Sequence, residues 1–370
     1  MKYNNLVFLC GARDFHAMDW YASAKEVTDD TLNISIVTDL IQGEGFSKLV
    51  DSSDKIFKLI ILDKLLFRKQ SKLGNLWRNI LKLFFLPIQV LLLRRFESKN
   101  ENSIYFAHSM YYLWLAHFAG VDFVGTPQGS DLLIKPFKSK LFKYLSIKAL
   151  RSAKFITVDS EMMRAKCIQI SAVDPIVIQN GIDLNSINKK VTNNLDYIES
   201  NNKILSLRGF TDLYRVDQII KSRKFSKMDD GINFIYPFYD KSYKSIIDFN
   251  SNDMDLGRVS RQAMYNLLNN TILSVSIPYS DSSPRSVYEA IFCNSIVAIT
   301  HHRYYNDLPK CMQSRIILVN LDDKNWLKKA YEKAKKIKIQ NFKPSKEALD
   351  LFDQKRSFNK KLNLLKQIND

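Results

Sequence analysis

The stretch SIPYSDSSPRSVYEAIFCNSIVAIT, residues 276–300, decides the fold. It reads as an apolar run, a polar turn, a helical pattern and a second apolar run. That order is a strand–turn–helix–strand unit of a parallel sheet. Ser282, Ser283, Pro284 and Ser286 make the turn. Ser283 is the expected N-cap and Pro284 suits the first helical position. The free N–H groups of such a helix start can bind an anion, and Arg285 adds a fixed positive charge. Two acids flank the turn. Asp281 lies at the strand exit, and Glu289 lies deeper in the helix, where it can accept hydrogen bonds from ribose hydroxyls but cannot serve a phosphate.

The same alternation extends in both directions. Upstream, strands are expected at Leu6–Cys10, Asn33–Thr38, Lys55–Ile61, Ser103–Ala107, Phe123–Thr126 and Phe155–Val158, with helices such as Ala17–Thr28 and Met110–Ala119 between them. A second series starts near Ile176–Ile178 and continues through Lys203–Leu207, Ile232–Pro237, Ile272–Ile277, Ser295–Ile299 and Ile316–Val319. The pattern predicts an α/β protein of two domains, 1–178 and 179–343, joined at the Asn-Gly turn of QNGID. Residues 344–370 are expected to form a C-terminal helix. Ligands in such sheets bind outside the carboxyl ends of the strands.

Bulk properties narrow the function. The chain has 370 residues and a net charge of +17. Residues 51–160 carry 18 Lys/Arg against 8 Asp/Glu, a surplus that favours an anionic surface. No zinc-finger, RRM or KH signature is present, so nucleic acid is not the expected partner. Cys10, Cys167, Cys293 and Cys311 are far apart in sequence and read as reduced, buried thiols of a cytosolic protein. No metal site is expected: DSSD at 51–54 and DMD at 253–255 read as solvated loops. The apolar run at Leu6–Cys10 is too short for a secretory leader, and the longest one, Ile80–Leu93, is too short to span a bilayer. The basic amphipathic segment Lys64–Arg95 reads either as a helix lying in a membrane interface or as a core helix with a solvated basic side. Leu65, Leu66, Leu73, Leu76, Trp77 and Ile80 form its apolar face in either case.

Several motifs, taken in order, resemble the retaining GT-B glycosyltransferases of family 4. Asp281 and Glu289 stand in the places of the family's two acids, which have seven residues between them, with Asp for Glu at the first, and Asn294 stands where Gly is common. GARDFHAMDW resembles the loop after the family's first strand, bringing Gly11 and His16. YFAHSMYYLW places His108 after a central strand. VGTPQGSDLL brings Gly129, Ser130 and Asp131, and LSLRGFTDLYRVDQII brings Arg208. Tyr214 stands where the family has a companion Lys, so Arg215 beside it is the substitute.

The resemblance implies two Rossmann-like domains with parallel sheets facing an interdomain cleft, and a C-terminal helix returning to the first domain. It implies a glycosyltransferase with a nucleotide-sugar donor, a lipid-linked glycan acceptor and retention at the anomeric carbon. The setting would be synthesis of a bacterial surface polysaccharide, lipopolysaccharide or capsule at the inner face of the cytoplasmic membrane. Catalysis would fall to His108, Asp281 and Arg208. Gly11, Arg208, Arg215, Ser282, Ser283, Arg285, Ser286 and Glu289 would hold the donor without a metal. His16, Gly129, Ser130 and Asp131 would contact acceptor or sugar, although Asp131 fits equally a helix-capping role. A nucleotide-sugar 2-epimerase of the same architecture, or an inactive basic scaffold, are the alternatives.

Overall fold

In the computed structural model, which describes residues 3–11, 14–28, 32–39, 52, 54–62, 72–188 and 198–369, the alternation forms two parallel sheets. The chain divides into two units, Met1–Asn180 with Gln354–Asp370, and Gly181–Asp353.

The sheet of the first unit is built from β1 (Asn5–Leu9), β2 (Asn33–Thr38), β3 (Lys55–Lys58), β4 (Ser103–His108), β5 (Phe123–Thr126), β6 (Phe155–Val158) and β7 (Ile176–Val177). Its order is β3-β2-β1-β4-β5-β6-β7. Both faces are covered, and the period of two sorts the side chains. Val7, Leu9, Tyr105 and Ala107 face one core with Leu86, Val90 and Leu93 of the helix Lys72–Glu97. Leu6, Phe8, Ile104 and Phe106 face the other, with Trp20 and Tyr21 of the helix Phe15–Val27 and Phe358 and Leu364 from the C-terminal segment.

That segment departs from the single helix expected over residues 344–370. It breaks at Asp353, which is extended (φ −72°, ψ 119°) and bridges to Ile182. Lys346–Phe352 buries Ala348 and Phe352 in the core of the second unit, whereas Gln354–Asn369 packs on the helix Phe15–Val27 in the first. The return to the first unit therefore starts at Gln354 rather than near 344. Gln354 Nε2 donates to the Asp19 carbonyl at 2.9 Å. Lys361 is buried 4.0 Å from the ring centre of Trp20 and donates to Thr126 Oγ1 at 3.1 Å. Burial pushes its ammonium down to about 7.

The helix Lys72–Glu97 corrects the expected apolar face. Leu81, Leu86, Val90 and Leu93 are buried, while Trp77 and Ile80 are 40% and 48% exposed. Leu65 and Leu66 lie outside the described residues, as do the side chains of Leu73 and Leu76. Leu83, Phe84, Ile88 and Leu91 are also exposed, so the helix is apolar on more than its core side. No helix among the described residues is long and apolar enough to cross a membrane.

The second sheet holds β8 (Ile204–Ser206), β9 (Ile232–Ile235), β10 (Met254–Gly257), β11 (Leu273–Ser276), β12 (Ile296–Ile299) and β13 (Ile316–Leu318), in the order β10-β9-β8-β11-β12-β13. The strand β10 overturns the reading of DMD as a solvated loop. Asp253 is buried against Arg223 and accepts the Ile232 N–H at 2.9 Å, which locks this edge onto β9. Asp54 of the DSSD stretch is likewise not solvated: it pairs with Lys25 at 2.9 Å and accepts from Tyr21. Asp51 and Ser53 lie outside the described residues. Asn294, where Gly is common, has φ 61°, a left-handed position that Asn tolerates better than other side chains. Of the four unpaired cysteines, Cys10, Cys167 and Cys293 are buried and Cys311 is only half-buried.

Candidate functional site

In each sheet the strand order reverses at one point, and side chains at the carboxyl ends there meet in a crevice. In the second unit this point lies between β8 and β11. Arg208 follows β8. Its Nε donates to Ser276 Oγ at the end of β11 at 2.7 Å, and its Nη2 pairs with Asp281. Two residues 73 positions apart in sequence thus form one charged cluster. Gly209 has the Phe238 ring so close that an added Cβ would sit 2.7 Å from it. Beside them is a cavity of about 240 Å³ lined by Arg208, Gly209, Tyr214, Pro237, Phe238, Arg258 and Ser286.

The turn of the opening stretch differs from expectation in one detail. The helix is Arg285–Phe292, and its N-cap is Pro284, not Ser283. Pro284 is extended at ψ 92°, and its carbonyl accepts the Val287 N–H at 2.9 Å. A proline cap offers no side-chain acceptor, so the first N–H groups are left to other partners. Ser282 and Ser283 are half-buried. Ser286 Oγ is buried with no hydrogen-bond partner among the described residues. Glu289 is buried and accepts through Oε1 from Tyr265 Oη at 3.0 Å and Arg285 Nε at 3.2 Å. Arg285 is thereby turned toward the helix, holding Glu289.

Arg215, the proposed substitute for a family Lys, sits at φ 52° and braces the backbone. Its guanidinium donates to the carbonyls of Ile277 at 2.6 Å and Pro278 at 2.7 Å, and to Thr300 Oγ1 at 3.0 Å. It also stacks on Tyr279 at 4.5 Å. His302 joins the same cluster, with Nε2 3.1 Å from the Pro278 carbonyl. Burial pushes its imidazole below its ordinary value. Thr300 and His302 were not singled out in the sequence, although both follow directly on β12.

The switch point of the first unit lies between β1 and β4. Here the structure adds Asp14, which the sequence reading passed over. Asp14 is the N-cap of the helix Phe15–Val27, accepting the His16 N–H at 3.0 Å. Its other oxygen meets His108 Nδ1 at 2.7 Å and Gln128 Nε2 at 2.5 Å. Burial works to raise this carboxyl, but the charge and hydrogen bond of His108 outweigh it and hold Asp14 well below the usual carboxylate range. With Asp14 as acceptor, His108 carries its proton on Nδ1 and leaves Nε2 as the acceptor nitrogen when neutral. Ser109, next to His108, has φ 72° and ψ 151°, a conformation that costs about 1–3 kcal/mol in a non-glycine residue and clusters at functional sites.

A cavity of about 770 Å³ opens here, lined by Gly11, Asp14, His16, Ser109, Gln128 and Asp131 with more apolar residues beyond. The His16 and His108 rings are 6.5 Å apart. Asp131 is buried in the short helix Gly129–Leu133. It accepts the N–H groups of Met110 at 2.8 Å and Gln128 at 3.1 Å and pairs with Lys135 at 2.6 Å. It therefore caps helix starts and lines the cavity at once. Gly129 and Ser130 contribute backbone to that helix.

No family model matches the chain, and no curated protein matches it. Solved structures do. The Anabaena protein HepE, in complex with UDP-glucose, is 14% identical over 98% of this chain and 99% of its own, with a TM-score of 0.69. Sucrose-phosphate synthase of Thermosynechococcus elongatus is 12% identical over 99% of both chains, with a TM-score of 0.70. A UDP-N-acetylglucosamine 2-epimerase is 10% identical over 99% of this chain and 97% of its own, with a TM-score of 0.61. At such identities the likeness shows the fold, two Rossmann-like α/β domains of the GT-B type.

Proposed function

We propose that the chain is a glycosyltransferase that moves a sugar from a nucleotide-sugar donor to a lipid-linked glycan acceptor with retention at the anomeric carbon. The setting we assign is synthesis of a bacterial surface polysaccharide, lipopolysaccharide or capsule. The observation that carries this reading is the Arg208–Asp281 cluster at the switch point of the second unit, beside a helix start without a side-chain cap. The likeness to HepE, solved with UDP-glucose, supports it.

In this reading Arg208 and the backbone N–H groups at Ser283–Ser286 neutralise the diphosphate as it leaves. Preorganised charge of this kind is a large catalytic contribution and takes the part a metal plays elsewhere. Asp281 neutralises Arg208 before the donor arrives. The diphosphate then takes over Arg208, and Asp281 is released to the sugar hydroxyls. Glu289, with Oε1 already engaged by Tyr265 and Arg285, offers Oε2 to the ribose. Arg215 shapes the β11 exit through its carbonyl bonds rather than reaching outward. In the first unit His108, fixed by Asp14, positions the sugar. The exposed apolar side of the helix Lys72–Glu97 and the basic surplus around it would hold the protein on the inner face of the cytoplasmic membrane.

The test is nucleoside diphosphate release over a panel of sugar nucleotides without acceptor. Hydrolysis of at least one donor is expected, with Arg208→Ala lowering kcat/KM by about 100- to 1000-fold. No donor hydrolysis, together with an inert Arg208→Ala, would sink the reading. Because one similar structure is a 2-epimerase, acceptor-free isomerisation of UDP-N-acetylglucosamine belongs in the same panel.

A further inference from the structure

A nucleotide sugar brings two negative charges to the β8–β11 point, and the fixed cations there do not match them. Arg208 answers one. Tyr214 stands in the place of a companion Lys, and burial keeps its hydroxyl in the neutral form. Arg215 is committed to the carbonyls of Ile277 and Pro278. Arg285 holds Glu289, and Lys244 pairs with Asp255 at 2.5 Å. Arg258 follows β10, two strands away from β8.

His302 stands where the second charge is needed. It follows β12, the neighbour of β11, and caps the short 3-10 turn Arg303–Tyr305 in an extended conformation (φ −132°, ψ 151°). Its Nε2 lies 3.1 Å from the Pro278 carbonyl and 3.2 Å from Thr300 Oγ1, two acceptors that Arg215 also uses. A carbonyl only accepts, so the neutral ring carries its proton on Nε2. Nδ1 has no hydrogen-bond partner among the described residues and is not a buried atom. Burial, Arg215 and Arg208 hold the imidazole below its ordinary value against Asp281 and the Pro278 carbonyl, so it is neutral near pH 7 while the site is empty. Its chain neighbours His301 and Arg303 are exposed. The Tyr304 ring is stacked on it at 5.8 Å and 11°, a π face that favours an imidazolium. A diphosphate changes this balance: its charges offset both arginines, and an anion beside an imidazole favours the protonated form.

We infer that His302 is the second cation of the diphosphate site: it takes a proton from water as the donor binds, presents Nδ1–H to a phosphate oxygen, and returns the proton when the diphosphate leaves. A Lys in its place would put a third positive charge beside Arg208 and Arg215 in the empty site, which a His avoids. The inference rests on the donor reading of the second unit and makes donor binding pH-dependent.

The probes are UDP-glucose and GDP-mannose, whose diphosphate diesters do not titrate near neutral pH, with affinities measured by calorimetry between about pH 5.5 and 8. In the wild type the dissociation constant should fall about tenfold from the alkaline to the acid end, the change that a one-unit rise of the His302 pKa on binding produces. Runs at about pH 7 in two buffers of different ionisation heat should show net proton uptake. His302→Gln keeps an N–H for the Pro278 carbonyl but cannot become charged. It should bind with the wild type's alkaline affinity at every pH and take up no proton. A flat wild-type profile overturns the inference without any variant. A pH dependence that survives in His302→Gln places the proton elsewhere and overturns it too. In both of these cases a nucleotide sugar still binds, and the donor reading stands. Failure of both probes to bind at every pH removes the donor reading and the inference with it.

Discussion

Replacing Lys361 by Met should stabilise the protein at neutral pH and remove part of its pH dependence. Lys361 is 3% exposed and packs against Trp20 and Thr126. Its ammonium is pushed from 10.5 down to about 7, chiefly by burial, with Asp159 acting the other way. A depression of that size corresponds to about 5 kcal/mol against the charged form. The Trp20 ring at 4.0 Å returns up to about 2 kcal/mol. About 3 kcal/mol is left as a cost carried near pH 7. Met fills the same channel without the charge, and Thr126 keeps its bond to Thr157 at 2.7 Å. Between about 7 and 10.5 the unfolded chain holds the proton and the folded chain does not, so wild-type stability must rise with pH across that window. Below it both states are charged and the cost is carried in full. Urea unfolding of both proteins at pH 7 and pH 10 gives the comparison. The variant should be more stable at pH 7 by a few kcal/mol, and the gap should shrink by pH 10. A gap that is absent at pH 7, or that stays constant with pH, would refute the reasoning.

Other consequences are open to test. Asp253→Asn leaves Arg223 charged and buried, and should cost about 3 kcal/mol of stability in urea unfolding; an unchanged midpoint contradicts the locking role of that pair. Asp14→Asn keeps the helix cap but frees the His108 tautomer, so kcat for sugar transfer should fall about tenfold while the melting temperature hardly moves. Full activity in that variant would show that His108 needs no fixed proton. Flotation with liposomes should be salt-sensitive, require anionic lipid and weaken in Phe84→Asp, which alters an exposed side chain; salt-insensitive flotation, or none, removes the membrane assignment.

The parallel strands were legible because burial on both faces leaves continuous apolar runs such as LVFL at Leu6–Leu9 and IVAI at Ile296–Ile299. The edge strand β10 was not, since DMD carries acids and meets solvent on one side. Nothing in the sequence marks the break at Asp353, where no Gly or Pro interrupts the helical pattern and a bridge to Ile182 decides the matter. Asp14 was invisible for another reason. An Asp just before a helical pattern reads as a cap, which it is, and its second oxygen reaches a histidine 94 positions away only once β1 and β4 lie side by side. Arg208 and Asp281 were named separately, but their pairing needed the sheet.

The first unit is assembled from two stretches of sequence, and this has a consequence in time. When residues up to 180 have been synthesised, the face presenting Trp20, Phe8 and Phe106 still lacks Phe358 and Leu364. At about 5–20 residues per second, the ribosome needs roughly ten to thirty-five seconds to make the intervening second unit. During that interval the nascent first unit exposes an apolar surface to chaperones and to other chains. The second unit, continuous in sequence, is free to fold before the first is complete, so a segment made after the second unit closes the domain whose sheet was made before it.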